Sequence, residues 1–355
     1  MMRPVSATID LSALRHNLAV AQRCAPRSKA FAVIKANAYG HGLLRAARAL
    51  SEADGFAVVE LEGAVRLREA GYAERVLLLE GFFEPRELAT LVQYKLSTVV
   101  HSPEQLDMLD ALPAGSDLDV LLKINTGMNR LGLQPSHAGD ALARLEGHPG
   151  VGQITVMTHF ANADAPEGLG EQLAIFDAAA GRKYPRSLAN SAAVLRYPES
   201  HADWIRPGIM LYGCSPFPGG VAADVGLEPA MTLASEIIAV RELAPGDAVG
   251  YGSLFVAKRL TRVGVVACGY ADGYPRHAPT GTPVLVGATL TRTLGRVSMD
   301  MLCVDLTAVP DARVGTRVVL WGEGNPVERV AESAGTVGYE LLCALAPRVR
   351  VIEKS

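Results

Sequence analysis

A lysine at the end of an apolar run is the first residue of this chain with chemistry to offer. Lys35 follows Phe31, Val33 and Ile34 in the stretch A-F-A-V-I-K-A-N-A-Y-G-H-G, residues 30–42. The run reads as a buried strand, and Asn37, Gly40 and Gly42 supply the turn that ends it. An amine at the rim of an apolar layer is placed to add to a carbonyl and form a Schiff base with a cofactor or substrate. The plainer alternative is a solvated charge at a strand end. Further along, Lys123, Arg130, His159, the pair Asn190 and Ser191, and Arg206 recur beside other short apolar runs, with Asp164 as the acid among them. Cations and hydrogen-bonding groups in that proportion describe a pocket for an anion. Cys24, Cys214, Cys268, Cys303 and Cys343 form no C-x-x-C pair and have no histidine cluster beside them. Such spacing predicts reduced thiols, with neither disulfides nor a metal site.

What positions these residues is an alternation of strands and helices. Strands are expected at residues 30–34, 56–59, 76–79, 97–100, 118–124, 153–158, 187–189 and 209–212. Helices fall between them, one of them over 103–111 capped by Ser102, and an earlier one is capped by Asp10 or Ser12. Apolar strands that do not alternate with polar residues must be covered on both faces, so the expected fold class is α/β, a closed (β/α)₈ barrel of the TIM type. An open doubly wound sheet is the rival, but the turn after the first strand carries Lys35, Tyr39 and His41 in place of G-x-G-x-x-G. From about Glu228 the texture changes to short β-rich segments separated by Gly, Pro and Asp, the pattern of a mainly antiparallel β domain. The expected division is a barrel over 1–228 and a β-rich domain over 229–355, with a Gly- and Pro-rich linker at 214–228.

At 355 residues, 49% of them apolar and 20% charged, the chain can bury a large core and a smaller one. A net charge of −3 without a basic block argues against nucleic acid as a partner. No apolar run approaches the ~20 residues that would cross a bilayer, so no membrane partner is expected. Residues 1–10 lack a basic segment followed by an apolar one, so no export signal is expected, and the cytoplasm is the expected location.

If the barrel closes, its reactive residues lie at the C-terminal ends of the strands. Lys35 and Tyr39 then follow the first strand, Lys123 ends the fifth and Arg130 lies in the loop beyond it. His159 follows the sixth, Asn190 and Ser191 the seventh, and Arg206 leads into the eighth. These residues fall within a series of motifs that runs along the chain. V-I-K-A-N-A-Y-G-H-G is followed by N-T-G-M-N-R-L-G (125–132), N-S-A-A (190–193), R-P-G-I-M-L-Y-G (206–213), V-G-Y-G (249–252), G-Y-A-D-G-Y-P-R (269–276) and V-S-M-D-M (297–301). In that order, across essentially the whole chain, they resemble the alanine racemase family.

The resemblance implies a pyridoxal 5′-phosphate enzyme that interconverts L- and D-alanine, supplying D-alanine for peptidoglycan or consuming it. It also implies a head-to-tail homodimer in which each active site borrows residues from the partner's β domain. Lys35 would hold the cofactor and move the α-proton on one face of the substrate. Tyr251, from the other subunit, would be the base on the opposite face. A phenol serves as a base near neutrality only beside cations, and His159 with Arg206 behind it would be their source. Arg206 would face the pyridine nitrogen and keep its own proton, leaving the ring a weaker electron sink. Ser191, Tyr39 and Tyr339 would offer hydroxyls to the phosphate, with the backbone N–H groups of Gly208 and Ile209, and Asn190 would stand beside them. Arg130 and the backbone of Met299 would take the substrate carboxylate, and Lys123 would be carbamylated. Asn125 stands where many relatives have aspartate, and Asn129 where many have glycine. A broader-specificity racemase, a barrel-type decarboxylase and a non-catalytic pyridoxal-phosphate protein are the alternatives.

Overall fold

The computed structural model describes residues 3–355. Parallel strands Lys29–Val33, Gly55–Val58, Arg75–Leu78, Ser97–Val100, Leu118–Lys123, Val151–Met157, Arg186–Ser187 and Trp204–Ile205 close into a barrel. Closure is made by Lys29 and Ala30 against Trp204 and Ile205. Phe31, Ala32, Phe56, Ala57, Leu77, Val99 and Leu121 are all buried, because a parallel sheet is covered on the outside by helices and filled on the inside by its own side chains. Helix starts follow local chemistry: Asp10 accepts from the backbone of Ser12 and Ala13 at 2.9 and 3.1 Å, and Ser102 from Gln105 with Pro103 next in line.

The eighth strand is not where the apolar pattern put it. It is Trp204–Ile205, and Ile209–Tyr212 is a turn of 3₁₀ helix. Pro207 and Gly208 break the strand, and the apolar run beyond them is buried against the helix Leu11–Cys24. Periodicity cannot separate a short buried strand from a short buried turn. Arg206 therefore follows the last strand, at the same end of the barrel as the other candidates.

The second sheet has eight strands, in the order Thr261–Val266, Leu302–Asp305, Thr289–Leu294, Pro283–Val286, Arg317–Trp321, Met231–Leu243, Ser6–Asp10 and Arg350–Lys354. Met231–Leu243 pairs with both Arg317–Trp321 and Thr261–Val266, which closes the first part of the sheet on itself. A division at 228/229 misplaces the strand Ser6–Asp10. It pairs antiparallel with Met231–Leu243 and parallel with Arg350–Lys354, so it lies in the second sheet. One apolar cluster runs from Val5 through the barrel to Val349. A charged cluster ties the N-terminal segment to the second domain: the buried Asp272 carboxylate takes Arg3 at 3.0 Å and Arg348 at 2.7 Å, and Arg348 also reaches Asp300 at 2.7 Å. Among the described residues, no helix is long and apolar enough to cross a membrane, and no cluster of His, Cys, Asp and Glu is arranged to hold a metal.

Candidate active site

Lys35 stands just beyond the first barrel strand, and the backbone after it does something unusual. Ala36, Asn37, Ala38 and Tyr39 all have φ between 49° and 55°, and Gly40 follows at 81°. Consecutive left-handed residues with side chains cost about 1–2 kcal/mol each, so the surrounding structure must hold them. Within the turn, Ala38 N–H donates to Ile34 at 3.0 Å and Gly40 N–H to Ala36 at 3.1 Å. The Asn37 side chain accepts from Leu43 N–H at 2.9 Å and so starts the next helix. The turn carries Tyr39 inward, where its ring stacks on Tyr212 at 4.6 Å and stands 6.1 Å from Tyr339. Burial pushes the phenol pKa of Tyr39 and of Tyr339 upward, so both stay neutral hydrogen-bond donors.

At the C-terminal end of the barrel is a cavity of about 670 Å³. Lys35, Tyr39, Lys123, Arg130, His159, Asn190, Ser191, Arg206, Gly208, Ile209 and Tyr339 all line it, with Glu80 and Asp164 as its acids. The structure thus brings together residues spread over more than 300 positions of sequence. Arg206 is only 4% exposed; its guanidinium donates to Ser187 Oγ at 2.7 Å and to the carbonyls of Thr158 and Leu188 at 2.6 and 3.1 Å. Burial pushes its pKa down to about 10, which leaves it charged at neutral pH. Lys123 is pushed down to about 8, first by burial and then by Arg206 and Arg130, against the pull of Glu80. Burial, followed by the same cations and Lys35, holds the His159 imidazole well below its usual range. The His159 imidazole is therefore neutral near pH 7. The positive charge at that place is Arg206.

A second feature is a small cradle. Ser191 Oγ accepts from the backbone N–H of Gly208 at 2.9 Å and of Met210 at 3.4 Å. A Cβ on Gly208 would meet Tyr39 Oη at 2.8 Å, so only glycine leaves this corner open. Hydroxyls and backbone N–H groups converging beside a buried arginine fit a phosphate monoester. Asn190 is tied up structurally: its carboxamide caps the helix Ser191–Arg196 through Ala193 N–H at 3.1 Å and donates to the Phe160 carbonyl at 3.3 Å.

Sequence reasoning missed the groups behind the wall. Gln172, on the helix Gly170–Ala180, donates to Thr126 Oγ1 at 3.1 Å and to the His159 carbonyl at 3.3 Å, and accepts from Ala161 N–H at 2.7 Å. Thr126 and Thr158 share a hydroxyl contact of 2.7 Å. This network joins the loops bearing Arg130 and His159 to Arg206, and no motif announces it. The departures at 125 and 129 also find an account. Asn125 Oδ1 accepts from Gly127 and Asn129 N–H at 3.2 and 3.0 Å, and its amide donates to Asn129 Oδ1 at 2.8 Å. Asn129 itself sits at φ 55°, a conformation asparagine tolerates.

Two expected residues are not in the cavity. Tyr251 is 71% exposed in the turn Tyr251–Ser253 of the second domain, and Met299 is 52% exposed in the loop after Val297. Neither lines the barrel mouth of its own chain.

Comparison with known proteins agrees with this architecture. Residues 9–216 match the family described as "Alanine racemase, N-terminal domain", and residues 230–353 that described as "Alanine racemase, C-terminal domain". The chain is 61% identical to an alanine racemase of Nitrosospira multiformis over 99% of both chains, and 56% identical to one of Paraburkholderia phytofirmans with the same coverage. The biosynthetic alanine racemase of Pseudomonas aeruginosa superposes with a TM-score of 0.96 at 51% identity, over 100% of each chain. The alanine racemase of Acinetobacter baumannii superposes with a TM-score of 0.94 at 38% identity, over 99% of this chain and 100% of that one. By its motifs, its two domains and its likeness along the whole chain, the protein belongs to the alanine racemase family.

Proposed function

We propose that this chain interconverts L- and D-alanine with pyridoxal 5′-phosphate, using Lys35 and the Tyr251 of a second copy as bases on opposite faces of the substrate. The observation that carries the reading is the barrel-mouth cavity, where an amine, a buried arginine and an open phosphate cradle meet. The donor set fits the cofactor. Ser191, Tyr39 and Tyr339 would hold its phosphate together with the N–H groups of Gly208 and Ile209, and Arg206 would face its ring nitrogen. When bound, the cofactor supplies a carbonyl that links to an amine and a ring that draws electrons from the α-carbon, loosening its proton. Lys35 holds the cofactor at rest, then takes or returns that proton at Nζ. Arg206, anchored by Ser187, Thr158 and Leu188, keeps its own proton and fixes the ring's orientation. Arg130 receives the substrate carboxylate, with the backbone N–H of Met299 from the second copy as the other donor.

Exposure of Tyr251 and Met299, with Leu254, Leu260 and Met301 also open to solvent, supports a homodimer that covers this face and brings the second base to the cavity. An amine with a pKa near 8 is partly unprotonated at neutral pH, so Lys123 Nζ can add to carbon dioxide and lose a proton, becoming a carbamate anion opposite Arg130 and Arg206. A cytoplasmic role, supplying D-alanine for peptidoglycan or consuming it, completes the reading. The test is direct: purified protein is given L-alanine or D-alanine, with and without added pyridoxal phosphate, and optical activity is followed. Racemisation from both sides that depends on the cofactor is expected; stable optical activity from either enantiomer, with cofactor present, overturns the reading.

A further inference from the structure

His41 is 0% exposed and does not line the cavity, yet it touches the backbone that shapes it. Its Nδ1 lies 2.9 Å from the carbonyl of Tyr39 and 3.0 Å from that of Ala38. Carbonyls only accept, so Nδ1 carries the ring proton, and Nε2 has no partner among the described residues. The Ala38 carbonyl also receives the backbone N–H of His41 at 3.0 Å. The Tyr39 carbonyl ends the left-handed turn, where no later turn of helix supplies it with a donor, and the imidazole is the group that does so. Burial pushes the imidazole pKa down to about 4, so the ring stays neutral and its single N–H stays committed to this contact.

The face of the ring makes a second connection. It lies 4.6 Å from the Tyr212 ring, which stacks on Tyr39 at 4.6 Å and donates its hydroxyl to the Val33 carbonyl at 2.8 Å, two residues before Lys35. One side chain thus holds the far end of the turn and, through Tyr212, the strand that enters it. Lys35 is at one end of those residues and Tyr39 at the other. We propose that His41 is a positioning residue for the racemase reaction: its Nδ1–H caps the left-handed turn and so fixes the Lys35 amine relative to the Tyr39 hydroxyl of the phosphate cradle. This rests on the reading of the cavity as a pyridoxal phosphate site.

Three variants of the full-length protein test it. His41→Asn puts a carboxamide N–H where Nδ1–H stands; His41→Leu fills the space without a donor. Ala36→Gly combined with His41→Leu removes strain from an exposed left-handed position, since glycine adopts positive φ freely. The measurements are the dissociation constant of pyridoxal phosphate by absorbance titration, kcat and KM for L-alanine, and a melting curve. The asparagine variant should bind the cofactor within about threefold of wild type, while the leucine variant should lose about tenfold or more. In the leucine variant kcat should fall by a larger factor than KM rises, and the added glycine should recover part of both losses. A leucine variant that binds cofactor like wild type, or an asparagine variant as weak as the leucine one, overturns the proposal. Should the leucine variant fail to fold, a folded and cofactor-competent asparagine variant supports the cap, and equal failure of all three overturns it. Wild-type protein that binds no pyridoxal phosphate overturns the cofactor reading itself, which is a separate result.

Discussion

The barrel mouth and the turn at Tyr251 make an instructive contrast. At the mouth, Arg206 is almost wholly buried, is held by three hydrogen bonds and sits among groups whose pKa values are bent by one another. At the turn, Tyr251 stands 71% exposed between Gly250 and Gly252, both at positive φ, with no hydrogen-bond partner for its side chain among the described residues. The first region is prepared by the chain's own folding. The second has the residue type for chemistry but not the environment, and on the proposed reading a second copy would have to supply one. If the second copy supplies Tyr251 as proposed, association would be a condition of catalysis, and a monomer would carry a cofactor pocket with half of the acid–base machinery.

The largest effect that would break the contrast lies on the barrel side. Lys35→Ala should lower racemase activity by about 10⁴-fold or more, and borohydride treatment should fix the cofactor to the peptide containing Lys35 in wild type only; a cofactor fixed elsewhere removes the amine from its role. Tyr251→Phe should cost about 10²–10⁴-fold while leaving cofactor binding unchanged, with solvent deuterium exchange lost preferentially from one enantiomer. Equal loss from both enantiomers would deny separate bases. Mixing the two inactive variants sharpens the point. Random exchange of subunits gives mixed dimers with one intact site, and activity should return to about a quarter of wild type; verified exchange without recovery refutes shared sites.

Gly208→Ala is a smaller perturbation, since its Cβ would stand 2.8 Å from Tyr39 Oη. It should weaken pyridoxal phosphate binding by about 10–100-fold with little change in melting temperature. The smallest effect is in acid. His41 and His159 both have folded pKa values below the ordinary 6.5, His41 at about 4. Below pH 6.5 the unfolded chain takes up protons that the folded chain refuses, so stability falls with pH from about 6.5 toward 4, by up to about 1.4 kcal/mol per unit for each group. His41→Asn should flatten part of that slope in urea melts at several pH values, and an unchanged slope would show that His41 is not neutral when folded.

Much of the barrel was legible because its strands are continuous apolar runs ending in turn residues. The strands expected at 97–100 and 118–124 fall on Ser97–Val100 and Leu118–Lys123. The eighth failed because Trp204–Ile205 is too short to register as a run, while Ile209–Tyr212 looks like one. In the second domain, Thr289–Leu294 pairs with Pro283–Val286 through the two-residue connection Gly287 and Ala288, but Thr289, Thr291 and Arg292 leave it without an apolar run to announce it. The partnership of Ser6–Asp10 with Arg350–Lys354 leaves no periodic signal at all, since it joins opposite ends of the sequence. In the site, residue types that do chemistry could be named from motifs, but the charge on His159 could not. That depends on Arg206, Lys123, Arg130 and Lys35 meeting around it, and the Gln172 network behind the wall is likewise a matter of long-range approach.

The inserted strand Ser6–Asp10 sets a schedule for synthesis. It is synthesised more than 200 residues before Met231–Leu243 and about 340 before Arg350–Lys354, its neighbours on either side. The nascent barrel must therefore carry an unpaired strand until the second domain emerges, and that domain's sheet is completed only when residues about 340 positions downstream arrive.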